Sequence, residues 1–192
     1  MNRIFAYTCA LLLLHVSANA GIDFTATEVE RTLSGIKFKQ LVFQQDGKKI
    51  GYQPPRGWSF TGGGSRIKFI PPEIAQAQGE IDQVQLSAPQ SLDEETMKTL
   101  QRKTLESVPA DSRQVTLVSE EKNPLLINKN ETYEVTVSYQ AFGQEFQMSV
   151  LYMNLPDTQV RFRTTARKAD FEKVHKAFRG SIFSWQWLPA AR

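Results

Sequence analysis

The sequence predicts an α+β fold, a central antiparallel β-sheet packed by helices. Three observations lead to it. Short runs of alternating apolar and polar residues recur between Gly, Pro and Asp-Gly turn signals, the mark of half-buried strands. Two segments, 92–107 and 170–182, instead space their apolar residues at helical intervals. The 192 residues are 41% hydrophobic and 22% charged, a globular balance in a chain long enough to bury a core without a disulfide or a metal.

The chain opens with Met1-Asn2-Arg3, an apolar run from Ile4 to Val16, and Ser17-Ala18-Asn19-Ala20 before Gly21. A basic start, an apolar centre and an A-x-A end predict a secretory signal peptide over 1–20, cleaved after Ala20. The apolar run is about 13 residues, short of the ~20 that span a bilayer. The alternative is an uncleaved N-terminal anchor. Cys9 and His15 leave with the leader, so residues 21–192 hold no cysteine and one histidine, His175. That excludes disulfides, thiolate nucleophiles and cysteine-based metal sites from the mature chain. No later stretch reaches membrane length, so no transmembrane segment is expected after cleavage, and 21–192 is expected to form a single α+β domain, periplasmic or secreted.

Phe38, Gln40, Val42 and Gln44 alternate with Lys39, Leu41 and Phe43, an extended pattern, and Asp46-Gly47 is a hairpin turn. Ile50 to Gln53 returns as the second strand until Pro54-Pro55 ends it, since proline donates no ladder hydrogen bond. Gly57 to Phe60 and Ile67 to Ile70 flank a glycine-rich turn, and Ile81, Val84 and Leu86 mark a further strand. Ser91-Leu92-Asp93-Glu94 reads as a capping box with Ser91 as the cap, opening a helix over 92–107 that Pro109 closes. Val115 and Leu117, then Leu125 to Ile127, are read as short strands. Tyr133 to Tyr139, Phe146 to Tyr152 and Val160 to Thr164 follow as an antiparallel meander turning at Gly143 and Pro156-Asp157. Phe171, Val174, His175, Phe178 and Ile182 share one face of the last helix. Residues 22–35 are left unplaced.

The run Asp46-Gly47-Lys48-Lys49-Ile50-Gly51-Tyr52-Gln53-Pro54-Pro55 followed by Gly57-Trp58, and the ending in a strand over 158–166 and a helix from Asp170-Phe171 to Ser181-Ile182-Phe183-Ser184, resemble the Mog1/PsbP-like fold. The resemblance spans most of 36–184. It implies an α/β/α sandwich around an antiparallel sheet. The relatives it points to, among them exported bacterial envelope proteins, are mostly assembly or binding modules with no shared catalytic centre. Such a transfer rests on fold alone.

Motifs that carry chemistry have simpler explanations here. Gly62-Gly63-Gly64 is followed by Ser65-Arg66 and a strand, not by the Lys-Ser/Thr and helix of a phosphate loop, so a hairpin turn is expected. His175 lacks the neighbouring nucleophile and acid of a triad and the companions of a zinc site. Asp93-Glu94-Glu95 suits a helix N-terminus. Asn130-Glu131-Thr132 fits a glycosylation pattern that matters only in a eukaryotic source. No catalytic, cofactor-binding or metal-ligating residue is assigned, and no cofactor is expected.

Charge is unevenly distributed. Residues 158–192 hold eight bases against two acids, Asp170 and Glu172. Arg161, Arg163, Arg167, Lys168, Lys173, Lys176 and Arg179 form a candidate patch for an anionic partner, whether polymer, lipid surface or acidic protein. Trp185 and Trp187 either cap the sheet or offer an exposed aromatic contact. Nucleic acid is not expected as a partner, because the chain is exported and carries no recognition motif. The expected function is an exported, non-enzymatic accessory or binding module of the cell envelope, with an unidentified protein or envelope partner. Two alternatives stand beside it: a hydrolase using carboxylates or tyrosines in a cleft, and a peripheral protein bound to anionic membranes.

Overall fold

The computed structural model describes residues 21–189. The expected leader and cleavage site, with Cys9 and His15, lie outside the described residues. Eleven strands and two helices follow in order: β1 Asp23–Leu33, β2 Ile36–Gln45, β3 Lys48–Tyr52, β4 Ser59–Gly63, β5 Arg66–Ile70, β6 Gln78–Gln85, α1 Glu94–Glu106, β7 Arg113–Lys122, β8 Thr132–Ala141, β9 Gln144–Asn154, β10 Thr158–Arg167, α2 Lys168–Ile182 and β11 Gln186–Leu188. They build two antiparallel sheets, β1-β2-β3-β11 and β4-β5-β6-β10-β9-β8-β7. This is the α+β class expected.

Turn chemistry sets the registers. Asp46 and Gly47 both take positive φ, 48° and 73°, which matches the twist of a two-residue hairpin and aligns Gln45 with Lys48. The glycine-rich segment is the β4–β5 hairpin: at Gly62 a Cβ would lie 2.6 Å from the Arg66 carbonyl oxygen, so only glycine fits.

The seven-stranded sheet divides the molecule into layers. On one face α1 lies over β8 and β9, burying Leu92 and Leu100 against Tyr133, Val135, Val137, Met148, Val150 and Tyr152. The other face is shared by α2 and the four-stranded sheet. There Phe24, Phe43 and Tyr52 meet Ile67, Phe69, Ile81, Leu151, Phe162 and Phe178 in one core. Gly79 makes this closeness feasible, since a Cβ there would sit 2.5 Å from the Phe178 ring.

Four sequence expectations change. The unplaced stretch 22–35 holds β1, Asp23–Leu33, antiparallel to β2. Asp93, not Ser91, caps α1: its carboxylate accepts the Thr96 amide at 2.8 Å, and the Ser91 hydroxyl donates to that same carboxylate at 3.0 Å. Leu125 to Ile127 is no strand. It is a loop with one bridge, Ile127 to Asn130, that buries Leu125 and Ile127 in the core. Trp185 is no exposed contact: it is 2% exposed, with its ring edge-on to Phe162 at 5.3 Å and close to Phe24, Phe43 and Tyr52. The Trp185 side chain packs between the two sheets just before β11 pairs with β3. Trp187, on β11, is half-buried against that core, and its indole N–H donates to Gln45 at 3.4 Å.

Candidate functional site

Where β3 ends, Pro54-Pro55 stops the ladder, the Trp58 amide turns back to the Pro55 carbonyl, and Gly57 takes φ 80°. This loop stands opposite the start of β2. Between them lies an open groove of about 550 Å³, walled by Ile36, Phe38, Pro54, Pro55 and Trp58 and rimmed by Arg56. Trp58 is fixed from behind, stacked on Phe178 with centroids 6.1 Å apart and planes 9° off parallel. It is half-buried against the core and also lines the groove. Ile36 is 65% exposed, a large apolar side chain that faces solvent. On the rim Lys37 pairs with Glu30 and Lys39 with Glu28, each at 2.8 Å, whereas Arg56 has no ion-pair partner among the described residues. The alternation over Phe38 to Gln44 predicts a strand but does not single out Ile36. An apolar residue at a strand start carries no signal that its face stays uncovered.

The seven bases singled out from the sequence do not converge. Side chains alternate along β10, so Arg161 and Arg163 project to the α1 face while α2 lies on the opposite one. Arg161 is held by Asp82 at 2.5 and 3.0 Å, and Arg163 by Glu80 at 3.2 Å. Arg167 donates to Gln76 and Lys168 to Glu145. Lys173 and Lys176 lie exposed on α2, without an ion-pair partner among the described residues. The C-terminal positive charge is thus split by the sheet and largely paired.

Beneath α2 the structure assembles a cluster that the sequence did not disclose. Glu134, buried on β8, accepts the Ser149 hydroxyl at 2.7 Å, faces His175 Nε2 at 3.3 Å and pairs with Arg179 Nη1 at 3.2 Å. Arg179 also donates to the Pro124 carbonyl at 3.2 Å. The His175 ring stacks on Phe171 at 5.2 Å. Burial, with help from Arg179, lowers the His175 pKa, and the Glu134 charge only partly opposes this. The histidine is therefore neutral at pH 7. Ser149 and His175 both turn to the same carboxylate, so the serine hydroxyl hydrogen is engaged by an acid and not by the imidazole. A nucleophile–base pair needs the second arrangement. What the cluster does is satisfy a buried carboxylate. Among the described residues no group of three or more His, Cys, Asp or Glu is placed to hold a metal ion.

No protein-family model matches the chain, and no curated protein matches it. Solved structures do. Cyanobacterial PsbP from Synechocystis matches with a TM-score of 0.51 and 11% identity, over 95% of this chain and 98% of that one. LpqN of Mycobacterium tuberculosis, described as involved in cell envelope biogenesis, matches with a TM-score of 0.46 and 11% identity, over 86% and 92%. A Bacteroides thetaiotaomicron protein matches with a TM-score of 0.44 and 14% identity, over 74% of this chain and 46% of that one, so the chain spans less than half of its length. The PsbP match runs almost end to end. The chain has a PsbP-like fold, as its turn and strand motifs led one to expect.

Proposed function

We propose that the protein, exported with cleavage after Ala20, serves as a non-enzymatic accessory or binding module of the cell envelope and takes a partner segment in the groove at Ile36, Phe38 and Trp58. The groove carries this reading. It combines an anchored aromatic plane, two prolines and an uncovered isoleucine with one unpaired base, Arg56, at its rim. Such a surface is suited to an apolar side chain flanked by a carboxylate. The leader-like first twenty residues support the location.

The mature protein, used as bait on envelope extract, tests the proposal against its Ile36→Glu variant. Ile36 is exposed, so the variant is expected to fold. A partner held by the wild type should bind the variant about tenfold more weakly, the consequence of losing one buried aliphatic side chain at the contact. Equal capture by both forms would remove the groove from the account. Turnover of a small substrate that depends on Glu134 or His175 would replace binding with catalysis.

A further inference from the structure

The α1 face of the seven-stranded sheet is only half covered. α1 lies over β7 to β9 and leaves β5, β6 and β10 without a helix above them. The side chains of that uncovered half form a charged ladder in register. Lys68, Glu80 and Arg163 lie in one row across the strands, and Arg66, Asp82 and Arg161 in the next. Each acid therefore stands between two bases. Glu80 is 2% exposed and Asp82 7%, so both acids lie beneath the bases that flank them.

At the seam between this ladder and α1 there is a pocket of about 210 Å³. Its walls include Arg161 and Arg163 from β10, Lys103 from the last turn of α1, and Gln159, Tyr152 and Ser107. Lys103 is exposed and has no ion-pair partner among the described residues. Arg161 engages Asp82 through Nε and one terminal nitrogen, and Arg163 engages Glu80 through a single terminal nitrogen, so each guanidinium keeps donors to spare. Arg163 Nε is itself buried and has no hydrogen-bond partner among the described residues, so the donors open to a ligand are the terminal nitrogens. Five bases, Arg66, Lys68, Lys103, Arg161 and Arg163, stand against two acids: Glu80 pairs with both Lys68 and Arg163, and Asp82 pairs with Arg161. The local excess is positive, and three cationic heads converge on one hollow.

We infer that this seam is a binding site for a small phosphomonoester or similar oxyanion, held between Lys103 and the free donors of Arg161 and Arg163. Guanidinium and ammonium groups that share one dianion make charge-assisted hydrogen bonds, roughly twice as strong as neutral ones. The pocket admits a compact soluble ligand, and the pairing of Arg161 and Arg163 with buried acids fixes their heads before the ligand arrives. The site lies on a different face from the groove between the proline loop and β2, and it stands or falls independently of the function proposed above.

Calorimetric titration of the mature protein with glycerol 3-phosphate, and with inorganic phosphate, tests it. The variants are Lys103→Gln and, as a control of equal charge loss at a distant exposed position, Lys129→Gln. Saturable binding is expected, weakened roughly fivefold or more by Lys103→Gln and unchanged by Lys129→Gln. Unchanged melting temperatures would show that both variants fold. A vesicle arm containing anionic phospholipid separates the sources of the phosphate. Absence of saturable binding to the soluble esters, equal affinity in Lys103→Gln, equal weakening by Lys129→Gln, or binding to vesicles alone would each overturn the assignment.

Discussion

His175 is the single histidine among residues 21–192, and its surroundings contribute to how stability responds to acid. Burial under α2 and the nearby Arg179 hold its pKa below the ordinary 6.5, with Glu134 opposing. An unfolded chain takes up a proton on this imidazole near 6.5, whereas the folded chain does so only at lower pH. The unfolded state therefore binds more protons across that interval, and stability rises with pH there. The contribution is complete above 6.5 and is lost as pH falls from 6.5 toward the folded value. The depressed carboxyls of Asp23, Asp93 and Glu145 act in the same sense but below their ordinary 3.8 to 4.5, outside this window. Urea unfolding at about pH 7.5 and about pH 5.5 should thus show a lower midpoint in acid for the wild type and a smaller drop for His175→Gln. An equal drop in both would mean that another group carries the response.

At the scale of elements, the helix start separates two readings of one motif. Ser91 and Asp93 both offer a capping oxygen, and the capping-box spacing favours the serine. In the structure Asp93 takes the Thr96 amide, and Ser91 serves only to orient the Asp93 carboxylate. Asp93→Ala should lower the melting temperature by several degrees, and Ser91→Ala by clearly less; the reverse order in a thermal scan would restore the serine cap. The same contrast explains what the sequence disclosed and what it did not. Strands with one apolar face and a firm turn, such as β2–β3 around Asp46-Gly47, are legible because period and turn agree. β1 is not, because among its described side chains Phe24 and Ala26, with Ile22 just before the strand, are the ones that reach the core, and most of the later residues are exposed on both faces. The Glu134, Thr136 and Ser138 side of β8 reads as a solvent face, yet these residues are all 8% exposed or less. Nothing local to β8 reveals that α2 lies over Glu134. The candidate groove and the cationic seam share this obscurity. Their residues come from segments far apart in the chain, and only the sheet order brings them together.

At the scale of the whole molecule, two sheets share one core, and Trp185 is the side chain that joins them. Its ring touches Phe24 and Phe43 of the four-stranded sheet and Phe162 of the seven-stranded sheet, and the backbone on either side links α2 to β11. Asn128 of the buried loop donates to the Trp185 carbonyl at 3.0 Å, so that loop is tied to the same point. Removing the ring should cost about 3 to 5 kcal/mol, since the aromatic neighbours on both sheets cannot close around the gap. Against a total of about 5 to 15 kcal/mol that is a large share of the stability, and it is lost to both sheets at once. Trp185→Ala should therefore shift urea unfolding to much lower denaturant while keeping one transition. Circular dichroism would report the strands, and the fluorescence of Trp58 and Trp187 would report the β4 side and the β11 side separately. Trp185→Phe, which keeps an aromatic ring in place, should recover much of the loss. If the two fluorescent reporters separated into distinct transitions, or if hydrogen exchange showed the four-stranded sheet melting while β8 to β10 stayed protected, the sheets would be independent units resting on one another, and the shared core would not be what holds them.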